Sequence, residues 1–166
     1  MFLIAKKMIF ILMLLVFSLH AEVFEGYTLF TPITLSQTGA ITHLMNTSEE
    51  IIHTWSHERG PASMPYLQPD SSIIYPYRVE FPTMESGGVG GGVQKLTWDG
   101  TIIWDYVFSD DIYQHHHDVE PLPSGNILII VWENKSAEDA YAMGRQIIEN
   151  SLNQMWSTAI LELEPE

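Results

Sequence analysis

The stretch Val93-Gln94-Lys95-Leu96-Thr97-Trp98-Asp99-Gly100-Thr101-Ile102-Ile103-Trp104 decides the fold class. Two short apolar runs flank an Asp-Gly pair. Asp and Gly tolerate positive φ, which tight hairpin turns require, so the stretch predicts an antiparallel hairpin from Val93–Trp98 into Ile102–Phe108. Working outward, the segments Tyr27–Phe30, Ile41–Leu44, Ile51–Trp55, Ile73–Tyr77 and Ile127–Trp132 have the same β-branched and aromatic character. Clusters of Gly, Pro, Asn, Asp and Ser separate them. Pro123-Ser124-Gly125-Asn126 predicts a second tight turn. One segment departs from the pattern: Ser136 can cap a helix, and Glu138 and Asp139 would sit in its first turn, so a short helix is expected over residues 136–144. Residues 146–157 read as a polar, irregular connection. The class is all-β with one short inserted helix.

The runs repeat. Ile41–Leu44, Ile51–Trp55, Tyr66-Leu67 and Ile73-Ile74 form one unit; Val93–Leu96, Ile102–Trp104, Pro121-Leu122 and Ile127-Leu128 form the next. Val93 follows Ile41 by 93 − 41 = 52 residues, and Ile127 follows Ile73 by 127 − 73 = 54. A period near fifty, built of four short strands, predicts β-propeller-like blades. Ile160-Leu161-Glu162-Leu163 resembles the opening strand of a third unit. About two blades and one strand leave a sheet face uncovered, and stacked repeats normally need at least three. The expectation is therefore an N-terminal portion, residues 22–166, of a longer protein; a complete small β-domain is the competing reading.

The 166 residues include 7 Lys+Arg and 21 Asp+Glu, a formal net charge of −14. Such a chain repels polyanions, which argues against nucleic acid and against anionic membrane surfaces as partners. The absence of cysteine excludes disulfides, thiolate metal sites and thiol catalysis. Residues 1–21 read as a signal peptide: Lys6-Lys7, then a short apolar run from Met8 to Leu19, then Ala21. The run is shorter than the roughly 20 residues of a bilayer-spanning helix. The expected location is periplasmic or extracellular, with no membrane attachment after cleavage.

The strongest chemical feature is Gln114-His115-His116-His117-Asp118, placed by the sequence at the entry to a strand. On an extended chain His115 and His117 would face one way, and His116 and Asp118 the other. Imidazoles can act as bases, nucleophiles or metal ligands, and a neighbouring carboxylate can fix their tautomer. A solvated polar loop is the competing reading. Gly87-Gly88-Val89-Gly90-Gly91-Gly92 lacks the Lys-Ser/Thr and the following helix of a phosphate loop. It reads instead as a flexible link or a place of close backbone approach. Trp55, Trp98, Trp104, Trp132 and Tyr106 read as core between sheets. Arg145 is one of few cations and is a candidate substrate-binding residue. No metal site or cofactor is expected.

These residues bear a resemblance. Gly26–Pro32, Ile51–Trp55, the Gly-rich link into Trp98-Asp99-Gly100, and above all His116–Glu133 are similar to the bacterial arylsulfotransferase (aryl-sulfate sulfotransferase) family. The segment from Lys135 to Arg145 also resembles its secreted branch. The resemblance implies an exported six-bladed β-propeller that moves a sulfuryl group from a phenolic sulfate ester to a phenolic acceptor through a histidine intermediate. It further implies that His116 and His117 are auxiliary and that the nucleophilic histidine lies outside this chain, which alone would be inactive. A non-catalytic exported binding or scaffold module is the alternative. A quinone-cofactor propeller is disfavoured, because neither its stacking pattern nor its calcium ligands are present.

Overall fold

In the computed structural model the described residues are 24–33, 38–84 and 86–165. The expected signal peptide, residues 1–21, lies outside them. Ten strands form: β1 (Tyr27–Phe30), β2 (Thr38–Asn46), β3 (Ile51–Arg59), β4 (Tyr66–Leu67), β5 (Ile73–Arg78), β6 (Gly91–Leu96), β7 (Ile102–Val107), β8 (Tyr113–Pro121), β9 (Ile127–Ser136) and β10 (Gln154–Leu163). They make three antiparallel sheets, ordered β1-β2-β3, β4-β5-β6-β7 and β10-β9-β8. The protein is all-β, as the sequence predicts, and none of the three sheets closes into a barrel. No helix among the described residues is long and apolar enough to cross a membrane.

The hydrogen-bonded sheet is not the sequence unit. β4 and β5 close the first repeat, β6 and β7 open the second, and these four share one sheet through the pairs Ile73↔Leu96 and Tyr75↔Gln94. The second sheet thus joins the end of one repeat to the start of the next, and the third sheet joins the end of the second repeat to β10. β10 pairs with β9 from Gln154↔Ser136 to Leu163↔Ile127. It therefore begins inside the segment read as irregular connection, with Gln154, Met155, Trp156 and Ser157 all half-buried.

Burial on both faces explains the sequence of β5. Ile73, Tyr75 and Tyr77 point one way and pack with Leu44 and Trp55 of the first sheet. Ile74 points the other way and, with Val93 of β6, packs on Val119, Ile127, Ile129 and Val131 of the third sheet. A strand covered on both sides reads as a continuous apolar run because neither face meets water. The expectation that the aromatics are core holds for Trp55, which is 1% exposed. It fails for Trp98, in the loop between β6 and β7, and for Tyr106, on the edge strand β7, both of which are exposed. Trp98 instead stacks on His53, with ring centroids 4.0 Å apart.

Four hairpin loops share one geometry. Backbone bonds Asn46 N→Glu50 O, Gln68 N→Ser72 O, Thr97 N→Thr101 O and Leu122 N→Asn126 O close them. A left-handed residue precedes each closing residue: Glu49 (φ 63), Ser71 (φ 65), Gly100 (φ 86) and Gly125 (φ 94). These are three-residue loops with the positive φ at the last position, so Asp99-Gly100 turns the chain differently from the two-residue hairpin. The helix forms as expected: α1 (Ala137–Ala142) is capped by the Ser136 side chain, which accepts from Asp139 N.

Candidate functional site

Strand β8 carries all three histidines. The sequence placed them ahead of a strand; they lie within one, at an irregularity between His115 and Val119 where the pairing to β9 shifts register. His117 adopts φ 58, in the left-handed region, at a cost on the order of 1 kcal/mol. This bulge cancels the expected alternation. His116 and His117 do not face opposite sides: their Nδ1 atoms are 2.8 Å apart, with the rings edge-on.

The three imidazoles have different surroundings. His115 is fully buried, and its Nδ1 accepts from Gly91 N at 3.1 Å. The neutral ring therefore carries its proton on Nε2. Burial, helped by the neighbouring His116 ring, lowers its pKa to about 4. His116 is buried and stacked on Trp132, centroids 4.3 Å apart, and burial again lowers its pKa. His117 is exposed. Among the described residues, Nε2 of His115 and of His116 is buried without a hydrogen-bond partner.

Asp118 does not orient an imidazole, contrary to what its position suggested. Its Oδ1 accepts from Ser63 Oγ at 2.7 Å and from its neighbour Val119 N at 2.9 Å, and its Oδ2 from Tyr66 Oη at 2.9 Å. It ties β8 to β4 and to the residues before it. Gln114, also fully buried, accepts from Thr83 N and Ser109 Oγ through Oε1. Arg145 lies in the exposed segment after α1, where its Nε donates to Ile147 O at 2.9 Å.

The glycine-rich segment belongs to the site. Val89 bridges to His116, His117 N donates to Gly88 O at 2.6 Å, and Gly90 N donates to His115 O at 3.0 Å. Of the two readings of this segment, close backbone approach is the one realised. Neither the role of Trp132 as a stacking partner nor that of Tyr66 and Ser63 as holders of Asp118 was legible in the sequence.

A contact between two Nδ1 atoms needs a proton between them, since two lone pairs would repel. In the neutral pair the donor ring has Nδ1–H and a bare Nε2, and the acceptor ring carries its proton on Nε2. The pair always holds one bare and one protonated Nε2; the Nε2 of His117 is on the exposed ring and that of His116 is buried. Moving the central proton, with exchange at Nε2, interchanges the two rings. Among the described residues no group of three or more His, Asp or Glu is arranged to hold a metal ion. The chain matches no family model, no curated protein and no solved structure at a significant level.

Proposed function

We propose that this chain is part of an exported, propeller-like arylsulfotransferase, in which His116 and His117 assist sulfuryl transfer between phenols. The observation that carries the reading is the Nδ1–Nδ1 contact of a buried, Trp-stacked histidine with an exposed one on a strained bulge. Strained backbone persists where the surroundings over-determine it, which is common at functional sites. The stack of three antiparallel sheets and the repeat near fifty residues support the propeller-like part.

In this reading a histidine elsewhere attacks sulfur. Its N–S bond forms as the S–O bond of the ester breaks, and the phenoxide leaves and takes up a proton. His117, with Nε2 protonated, donates a hydrogen bond to a sulfuryl oxygen or to the leaving phenoxide, while His116 holds its ring. A phenolic acceptor then reverses the step. Arg145 would serve the sulfate charge only if its segment swings from its present contact, so it is the weakest element.

The test is transfer from a chromogenic aryl sulfate to a phenol. The expected result is no turnover by the 166-residue chain, and turnover by the chain extended with its downstream reading frame. That extended protein should lose activity in the His116→Ala/His117→Ala variant. Equal turnover with and without the two histidines would overturn their role, and no turnover by any extended chain would favour a binding or scaffold module.

A further inference from the structure

The bridge Val89↔His116 sets a register in which Gly88 lies opposite His117 and Gly90 opposite His115. A Cβ on Gly88 would stand 2.4 Å from both Cε1 and Nε2 of His117, and 2.7 Å from its Nδ1. A Cβ on Gly90 would stand 2.4 Å from Nδ1 of His115. These separations are far inside van der Waals contact. The space that a side chain would fill on each glycine is therefore occupied by the nitrogen-bearing edge of an imidazole. Gly87, one residue earlier and outside this register, meets nothing within 4 Å.

We propose that Gly88 and Gly90 are positioning residues: Gly88 sets the ring of His117, and Gly90 sets that of His115, through a Gly-x-Gly run paired across to His-x-His. The two backbones approach closely because the glycines have no Cβ, and the rings lie down on the opposite strand. His117 cannot turn its Nδ1 edge away without leaving this surface, so Gly88 also maintains the contact with His116. Gly88 has a second constraint, since its φ of 79 disfavours any side chain. Gly100 (φ 86) has that constraint alone, with nothing within 4 Å.

The proposal rests on the histidine pair being the site, but its test involves no aryl sulfate, so sulfotransfer can fail while the positioning stands. The full chain is labelled with ¹⁵N-histidine, and the ring nitrogens are followed in Gly87→Ala, Gly88→Ala, Gly90→Ala and Gly100→Ala. The expected result is loss of the Nδ1–Nδ1 coupling between His116 and His117 in Gly88→Ala, and shifted His115 signals in Gly90→Ala. Gly87→Ala and Gly100→Ala should leave all three rings unchanged. Gly88→Ala in a His117→Ala background should relieve the clash with the ring and keep only the strain of its positive φ, so its loss of stability should fall to that of Gly100→Ala. Unmoved His117 signals in Gly88→Ala, or a double variant as disturbed as the single one, would overturn the proposal.

Discussion

Ser63 Oγ donates to Asp118 Oδ1 across 2.7 Å, joining the segment before β4 to β8 across 55 residues of sequence. Tyr66 Oη reaches the other oxygen of the same carboxylate. Burial and this contact with Asp118 both raise the Tyr66 pKa. Hydrogen bonds to a charged group contribute about 1.5–3 kcal/mol each. Asp118→Ala should therefore cost about 2–3 kcal/mol by urea unfolding, and Tyr66→Phe roughly 1.5 kcal/mol. Ultraviolet titration of Asp118→Asn should place the Tyr66 phenol closer to its ordinary value.

The hairpin loops predict opposite signs for two kinds of substitution. Gly100 and Gly125 have positive φ and open space around a would-be Cβ. Replacing either by Ala should lose about 1 kcal/mol through backbone strain alone. Glu49 and Ser71 hold the equivalent conformation with a side chain. Glu49→Gly should gain up to about 1 kcal/mol, reduced by the greater entropy of the unfolded chain. Thermal unfolding of these three single variants checks both signs.

Two buried histidines set an acid limit. His57 is stacked face to face on Tyr75 at 3.5 Å, and burial lowers its pKa to about 4, as it does for His115. Below pH about 6.5 the unfolded chain binds protons that these rings refuse. Stability is therefore full above that pH, falls as pH drops from about 6.5 to about 4, and levels off below. Each site accounts for about 3 kcal/mol across that window. His57→Gln should flatten the slope of the urea midpoint between pH 7 and 4. Asp70, held to about 2 by its bonds from Ser72, acts only below that window.

For the extended protein, the contact between His116 and His117 makes their substitutions non-additive. His116→Ala and His117→Ala should each lower turnover by about 10²–10³, the usual effect of removing one charge-stabilising group. The double variant should be no worse than the weaker single one. Losses that multiply would show that the two rings act separately.

The proposed export predicts a mature chain that begins at Glu22, after removal of residues 1–21. Intact-mass measurement of the exported protein checks this; retention of Met1 would contradict it.

Much of the fold was legible because hairpins announce themselves locally. Gly100, Gly125 and the Ser136 cap act within a few residues, and β5 shows its two-sided burial as an uninterrupted apolar run. Strand β8 was not legible, because Gln114 to Asp118 is polar and its burial comes from partners distant in sequence. Hence the histidines were recognised but their facing was misread: the alternation rule needs a regular strand, and His117 breaks it. The spacing of Gly88-x-Gly90 equals that of His115-x-His117, and this was the available clue to their pairing.

The offset between repeat and sheet bears on how such a chain can grow. Because β4-β5 of one unit pairs with β6-β7 of the next, the boundary between repeats falls in the middle of a sheet. A tandem duplication of one unit, cut at the boundary between β5 and β6, thus inserts strands that complete the sheet before it and start the one after. Pairing such as that of β5 with β6 would then tie an added unit to its neighbour through the backbone, whereas a cut between sheets would leave a new sheet held by side-chain packing alone.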